Sequence, residues 1–222
     1  MKKILVVAPH PDDETLGCGG TLLRYINEGH AVHWLIVTGM TLEGGFTEAQ
    51  IEKRKSEIHQ VAKSYLFSSV HELNLPTAKL DTLPMGKIIG AIGASLAEIE
   101  PEIVLTAYRN DAHSDHQIVF DAVTSATKSF RSPFVKKLLT YETISETDFG
   151  MKPEDGGFRP NLYVDIEGYL AQKLDILKIF ESEVADFPFP RSRKALESMA
   201  YLRGSQCNSE AAEAFMLVKE II

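Results

Sequence analysis

Five short runs rich in Val, Ile and Leu recur along the chain, Ile4–Ala8, Ala31–Thr38, His71–Leu75, Ile103–Tyr108 and Lys137–Tyr141. Their length and their content of Val, Ile and Leu suit strands of a sheet. The segments between them follow a different period: Ile51, Ile58, Val61, Ala62 and Tyr65 share one helical face, as do Ile88, Ile89, Ile92, Leu96 and Ile99. This alternation predicts an α/β fold, a Rossmann-like and mostly parallel sheet flanked by helices, because each spacer is long enough for a right-handed crossover. Past residue 142 the pattern loosens through Gly150, Pro153, Gly156, Gly157 and Pro160, then tightens into a strand-like run, Leu162–Ile166. A C-terminal excursion at one edge is expected there. Two closing helices are expected after it: Arg193–Arg203, stopped by Gly204 at C′, and Glu210–Ile221, with Ala214, Phe215, Leu217, Val218 and Ile221 apolar.

At 222 residues and 44% hydrophobic, the chain is long enough for one sizeable core and short for two, so residues 1–222 are read as a single domain. Its 23 Lys and Arg against 31 Asp and Glu give a net charge of −8, the wrong sign for a surface that neutralises phosphates, which excludes bulk nucleic-acid binding. Two cysteines, Cys18 and Cys207, form no CxxC pair and supply neither a disulfide framework nor a cysteine-only metal site. A reducing, cytoplasmic setting fits. The apolar run after Met1 ends at Ala8 and meets Asp12, Asp13 and Glu14, reading as a strand instead of a signal peptide, and no stretch is apolar enough for an integral membrane span.

Polar residues capable of chemistry fall in two clusters. Pro9-His10-Pro11-Asp12-Asp13-Glu14 follows the first strand, and Asn110-Asp111-Ala112-His113-Ser114-Asp115-His116 follows the fourth. In open parallel sheets ligands bind beyond the carboxyl ends of the strands, where strand order reverses, and in a 3-2-1-4-5 order strands one and four are neighbours across that crevice. Either cluster alone also reads as an acidic helix start set against the helix dipole. Together they suggest a catalytic zinc site: His10, Asp13 and one of the later histidines, His113 or His116, make a His₂Asp tripod with an open position. Asp12 and the remaining imidazole are left as candidates to move a proton and to stabilise an oxyanion.

These residues resemble the LmbE/PIG-L family of zinc-dependent sugar de-N-acetylases, whose first signature is similar to Pro9–Glu14 with Gly19-Gly20 and whose second is similar to Asp111–His116. Weaker similarities are Arg54-Lys55-Ser56-Glu57, Phe158–Ile166, Arg203-Gly204 and Ala211–Phe215. The resemblance implies His10, Asp13 and His116 as ligands of zinc or another divalent ion and Asp12 as general base. It also implies His113, oriented by Asp115, as oxyanion stabiliser, and Arg54 near the bound sugar. Ser114 departs from the proline frequent in the family. The implied reaction removes an N-acetyl group from an N-acetylglucosamine-type sugar or glycoconjugate, a small acetamido-sugar substrate, releasing acetate and a free amine. A homo-oligomer is compatible with the sequence.

Other readings compete. Gly17-Cys18-Gly19-Gly20 suggests a Rossmann-like nucleotide-binding module, but these glycines come ten residues past Val7, behind three acids that would repel a pyrophosphate. A non-catalytic sugar-binding protein is the third reading. Asp111 is a candidate cap or partner to a ligand, Tyr141 and Glu142 are candidates to line the crevice, and His30, His33, His59 and His71 are assigned to structure. Cys18 has no spare imidazole to activate it as a nucleophile.

Overall fold

The computed structural model describes residues 1–152, 154 and 156–222; Pro153, in the loosened stretch, and Asp155 lie outside the described residues. In chain order the elements are β1 (Lys3–Ala8), α1 (Asp13–Asn27), β2 (Ala31–Gly39), α2 (Glu48–Tyr65), β3 (Ser69–Pro76), α3 (Met85–Ile99), β4 (Ile103–Ala107), α4 (Ser114–Ala126), β5 (Lys137–Tyr141), β6 (Leu162–Asp165), α5 (Leu170–Leu177), α6 (Arg193–Ser205) and β7 (Ala212–Glu220). They build one sheet in the order β3-β2-β1-β4-β5-β7-β6. The first five strands are parallel, and β7 runs antiparallel to both β5 and β6.

The sheet is covered on both sides because successive strand residues point to opposite faces. Ile4, Val6 and Ala8 of β1 face α1, α2, α5 and α6, in a core that includes Leu22, Val61, Leu174 and Leu196. Leu5 and Val7 face α3 and α4, packing with Ile92, Leu96, Val119 and Val123. β1 lies between β2 and β4, with Val7 opposite Thr106. The loops leaving β1 and β4 therefore emerge side by side at the carboxyl edge, as the strand-order expectation required. Among the described residues no helix is long and apolar enough to cross a membrane.

Two expectations for the C-terminal part are corrected. The segment expected as a closing helix, Glu210–Ile221, is instead strand β7, whose residues 212–217 pair with β6 and with the carboxyl half of β5. Ala214 and Phe215 adjoin helically spaced apolar neighbours, but ladder bonds to two strands and the seating of Phe215 in the core decide the conformation. Gly204 lies inside α6 and does not follow it: a Cβ there would fall 2.5 Å from the carbonyl oxygen of Ser209 and 2.7 Å from that of Glu210. Its missing side chain serves a close backbone approach.

Candidate active site

The loop after β1 is held by its own carboxylates. Asp13 Oδ2 accepts the backbone N–H of His10 at 2.8 Å, and Glu14 Oε2 accepts that of Asp12 at 3.1 Å. Asp12 stands before the first turn of α1 with φ 148°, a conformation that side-chain-bearing residues seldom adopt and that concentrates at functional turns. The turn aims Asp12 and Asp13 in different directions, Asp13 toward the histidines and Asp12 toward Arg191.

Across the crevice His113 caps α4, its Nδ1 accepting the backbone N–H of Asp115 at 3.1 Å. Asp115 thus meets His113 through its backbone N–H. That carboxylate is turned to His10 Nε2, at 3.1 Å, and lies 4.0 Å from His113 Nδ1; it also accepts from the N–H groups of Ala78 and Leu80. With Nδ1 used as an acceptor, neutral His113 carries its proton on Nε2. Burial and the nearby His10 charge push its pKa down to about 4, so it is neutral near pH 7.

His10 Nδ1 and His116 Nε2 each lie 3.2 Å from Asp13 Oδ2. His10, Asp13 and His116 each present a ligand atom within 4.8 Å of the others. His116 Nε2 is buried without a hydrogen-bond partner, whereas its Nδ1 meets Asp111 Oδ2 at 2.7 Å. Nδ1 of His10 and Nε2 of His116 are thereby turned inward while a carboxylate holds the other nitrogen of each ring, the usual arrangement around metal-bound imidazoles. The donor set fits a divalent ion of the zinc type. Asp111 is therefore the partner of His116, and it also accepts from Thr147 Oγ1 at 2.7 Å.

Burial opposes charge on both imidazoles, but carboxylates outweigh it. Hydrogen bonds to the Asp115 and Asp13 carboxylates take His10 up to about 9, and the Asp13 charge with the hydrogen bond to Asp111 takes His116 up to about 10. At Asp12 the neutral form gains instead: burial and the adjacent Asp13 charge push its pKa up to about 7 against the pull of Arg191.

A cavity of about 200 Å³ opens onto these groups. Arg191, Glu146 and Glu183 also line it, and the sequence reading missed all three. Arg191 Nη1 donates to Asp12 Oδ2 at 2.8 Å and to Glu183 Oε2 at 3.1 Å, while Nη2 reaches Glu146 Oε1 at 3.3 Å. Arg54 also lines the cavity, yet it is 6% exposed. Its guanidinium is engaged with Glu57, the carbonyl of Pro11, Ser182 and Glu183. It fastens α2 to the wall and offers little free surface.

Remaining candidates resolve structurally. Cβ atoms at Gly17, Gly19 and Gly20 would fall 2.2 Å from Tyr141, 2.4 Å from Tyr65 and 2.8 Å from Ile166. The glycines let α1 pack closely and form no phosphate loop. Tyr141 donates to the carbonyl of Val7, and Glu142 pairs with Arg203, so neither lines the cavity. Buried Cys18 has its pKa raised by burial and by Glu213, opposite to an activated thiol. His33 and His71 share the hydroxyl of Ser69.

Comparison with known proteins points the same way. A diacetylchitobiose deacetylase from Thermococcus kodakarensis is 25% identical over 242 residues, covering 100% of this chain and 85% of that protein. A conserved protein from Thermus thermophilus matches with a TM-score of 0.79 at 25% identity, over 100% of this chain and 97% of that one. GalB, the 4-carboxy-2-hydroxymuconate hydratase of Pseudomonas putida, matches with a TM-score of 0.74 at 20% identity, over 100% and 98% of the two chains. The last match speaks for the fold alone, and a fold does not choose a reaction. The family model described as "PIG-L: GlcNAc-PI de-N-acetylase" matches residues 5–127, a span that holds both histidine clusters, and the chain belongs to that family.

Proposed function

We propose that this protein is a zinc-dependent hydrolase that removes the acetyl group from an N-acetylglucosamine-type sugar or glycoconjugate, yielding acetate and a free amine. The observation that carries this reading is the convergence of His10 Nδ1, Asp13 Oδ2 and His116 Nε2 beside a carboxyl and an imidazole that are not part of the tripod. A divalent ion held by those three residues would supply Lewis acidity, polarising the acetamide carbonyl and making water easier to deprotonate. Asp12, with its pKa pushed up to about 7, takes a proton from the attacking water and returns it to the departing nitrogen as the C–N bond breaks. Neutral His113 donates its Nε2 hydrogen to the carbonyl oxygen as negative charge grows there.

Arg191 keeps Asp12 pointed at the cavity. For Arg54 we propose a contribution to sugar binding through Glu183, whose carboxylate it holds at the wall. The diacetylchitobiose deacetylase relative supports an acetamido-sugar as the substrate. The test is acetate release from N-acetylglucosamine derivatives by protein stripped with a chelator and reloaded with zinc. Activity is expected to vanish and return. Undiminished turnover in a verified metal-free sample, or none on any such derivative after reloading, would overturn the reading.

A further inference from the structure

We infer that the cavity selects an acetamido-sugar whose aglycone is uncharged, and that Glu183 enforces the selection. The inference rests on the deacetylase reading and narrows its substrate class. Glu183 ends a short 3₁₀ turn, Glu181–Glu183, and its carboxylate lies between two guanidiniums. One oxygen meets Arg54 and the Ser182 hydroxyl, and the other meets Arg191. Among the described residues lining the cavity, Arg54 and Arg191 are the Lys or Arg side chains that an anionic group could reach.

Neither guanidinium has a free fork. Arg54 also spends Nε on Glu57 at 3.0 Å and Nη1 on the Pro11 carbonyl at 2.9 Å. Arg191 spends Nε on Ser145 Oγ at 2.8 Å, with Asp12 and Glu146 taking further N–H groups. A phosphate or carboxylate seeks two parallel N–H donors. To find them here it would have to displace Glu183 or Glu146 and then sit beside Asp12. Four carboxylates, those of Asp12, Asp13, Glu146 and Glu183, line the same cavity, so even a bound divalent ion leaves no surplus of positive charge for an anion. Sugar hydroxyls meet the opposite situation, because they can donate to the open lone pairs of Glu146 and Glu183. Paired guanidiniums beside acceptor oxygens thus favour a neutral polyol and penalise an anion, which is selection by repulsion as well as by attraction.

The experiment compares methyl N-acetylglucosaminide with N-acetylglucosamine 1-phosphate, which place a neutral and an anionic group at the same carbon. For zinc-loaded wild type we expect kcat/KM to favour the neutral compound by at least about tenfold, with the preference shrinking as salt screens the repulsion. Glu183→Gln removes the charge and keeps the shape, and it is expected to narrow the ratio at least about threefold, chiefly through a lower KM for the phosphate. Ligand-observed NMR on the zinc-loaded wild type reads the same preference as binding, without turnover and without a variant that has to fold. Equal or reversed preference in wild type, or an unchanged ratio in folded Glu183→Gln, overturns the inference. Absence of acetate release from these and from every other N-acetylglucosamine derivative tried would overturn the deacetylase reading instead, and the binding preference would still decide the selection by charge.

Discussion

Arg191 meets Asp12 from 179 residues further along the chain, its Nη1 donating to Oδ2 at 2.8 Å. The pair joins the loop after β1 to the irregular segment before α6 and fixes one oxygen of the proposed base. Arg191 also pulls the Asp12 pKa down, although burial and Asp13 win. Arg191→Met should therefore lower kcat by roughly tenfold or more with a smaller change in KM, since misplacing a catalytic group by a fraction of an ångström costs orientation. The acid limb of the rate profile should move to higher pH, because the carboxyl loses the charge that favoured its ionised form. A purely structural arginine would leave that limb in place, so the pH–rate profile is the deciding measurement.

The metal ligands and the imidazole beside them separate by their partners. His116→Ala should abolish zinc retention, whereas His113→Ala should retain zinc and lose roughly 10²–10³-fold in turnover as one oxyanion donor is removed. Asp111→Asn weakens the acceptor for His116 Nδ1, 2.7 Å away, and should lower zinc affinity roughly 10–100-fold. Competition against a chromophoric chelator measures all three. Equal loss of zinc in the His113 and His116 variants would overturn this division of roles.

The parts legible in the sequence are those written by local pattern. Near-continuous apolar runs gave β1, β2, β4 and β5 nearly to the residue, and the parallel order placed His10 beside His116 from clusters about 100 residues apart. The illegible parts are tertiary. In β7 the spacing of Ala214, Phe215 and Leu217 suits a helix as well as a strand, and only pairing with β5 and β6 decides. Glu213 on that strand accepts the N–H groups of Gly20 and Thr21, where α1 breaks at Cys18, and meets Lys173, which donates to the Leu16 carbonyl. No local spacing announces such a clasp. Arg191 stood in Phe187-Pro188-Phe189-Pro190-Arg191, a proline-rich turn with no motif spacing. The half-buried destination of that arginine becomes visible only when the segment folds back over the β1 loop.

Glu14 offers a stability test that does not depend on turnover. It is fully buried, and burial with the Asp12 charge pushes its pKa up to about 8, although Thr15 donates to it. A carboxyl raised in the native state binds a proton more tightly there than in the unfolded chain. Its stabilising contribution is complete below the ordinary Glu range and is lost as pH rises toward about 8. Glu14→Gln, a neutral stand-in for the protonated acid, should therefore gain relative stability between about pH 5 and about pH 8. Denaturant titrations of metal-free wild type and variant across that window supply the check. A difference that stays constant or changes in the other direction would place the Glu14 proton elsewhere.

Asp12 and Asp13 are neighbours in sequence with opposite environments, and substituting each by its amide should separate proton transfer from metal retention. Asp13 accepts from the His10 backbone and faces two imidazoles that hold its pKa down against burial; Asp12 faces Arg191 and has its pKa pushed up to about 7. Asparagine tolerates positive φ better than most residues, so Asp12→Asn can keep the 148° backbone and one acceptor for Arg191 while losing the ability to take a proton. That variant should remain folded and zinc-loaded and lose roughly 10²–10⁴-fold in kcat, the range of a general base. Asp13→Asn should instead release zinc. For the wild type, kcat/KM should rise with pH as Asp12 ionises, and the observed midpoint belongs to the coupled group of Asp12, Asp13 and whatever they bind, not to Asp12 alone. Near-wild-type turnover by Asp12→Asn at full zinc occupancy would refute the assignment of the base even if acetate were released.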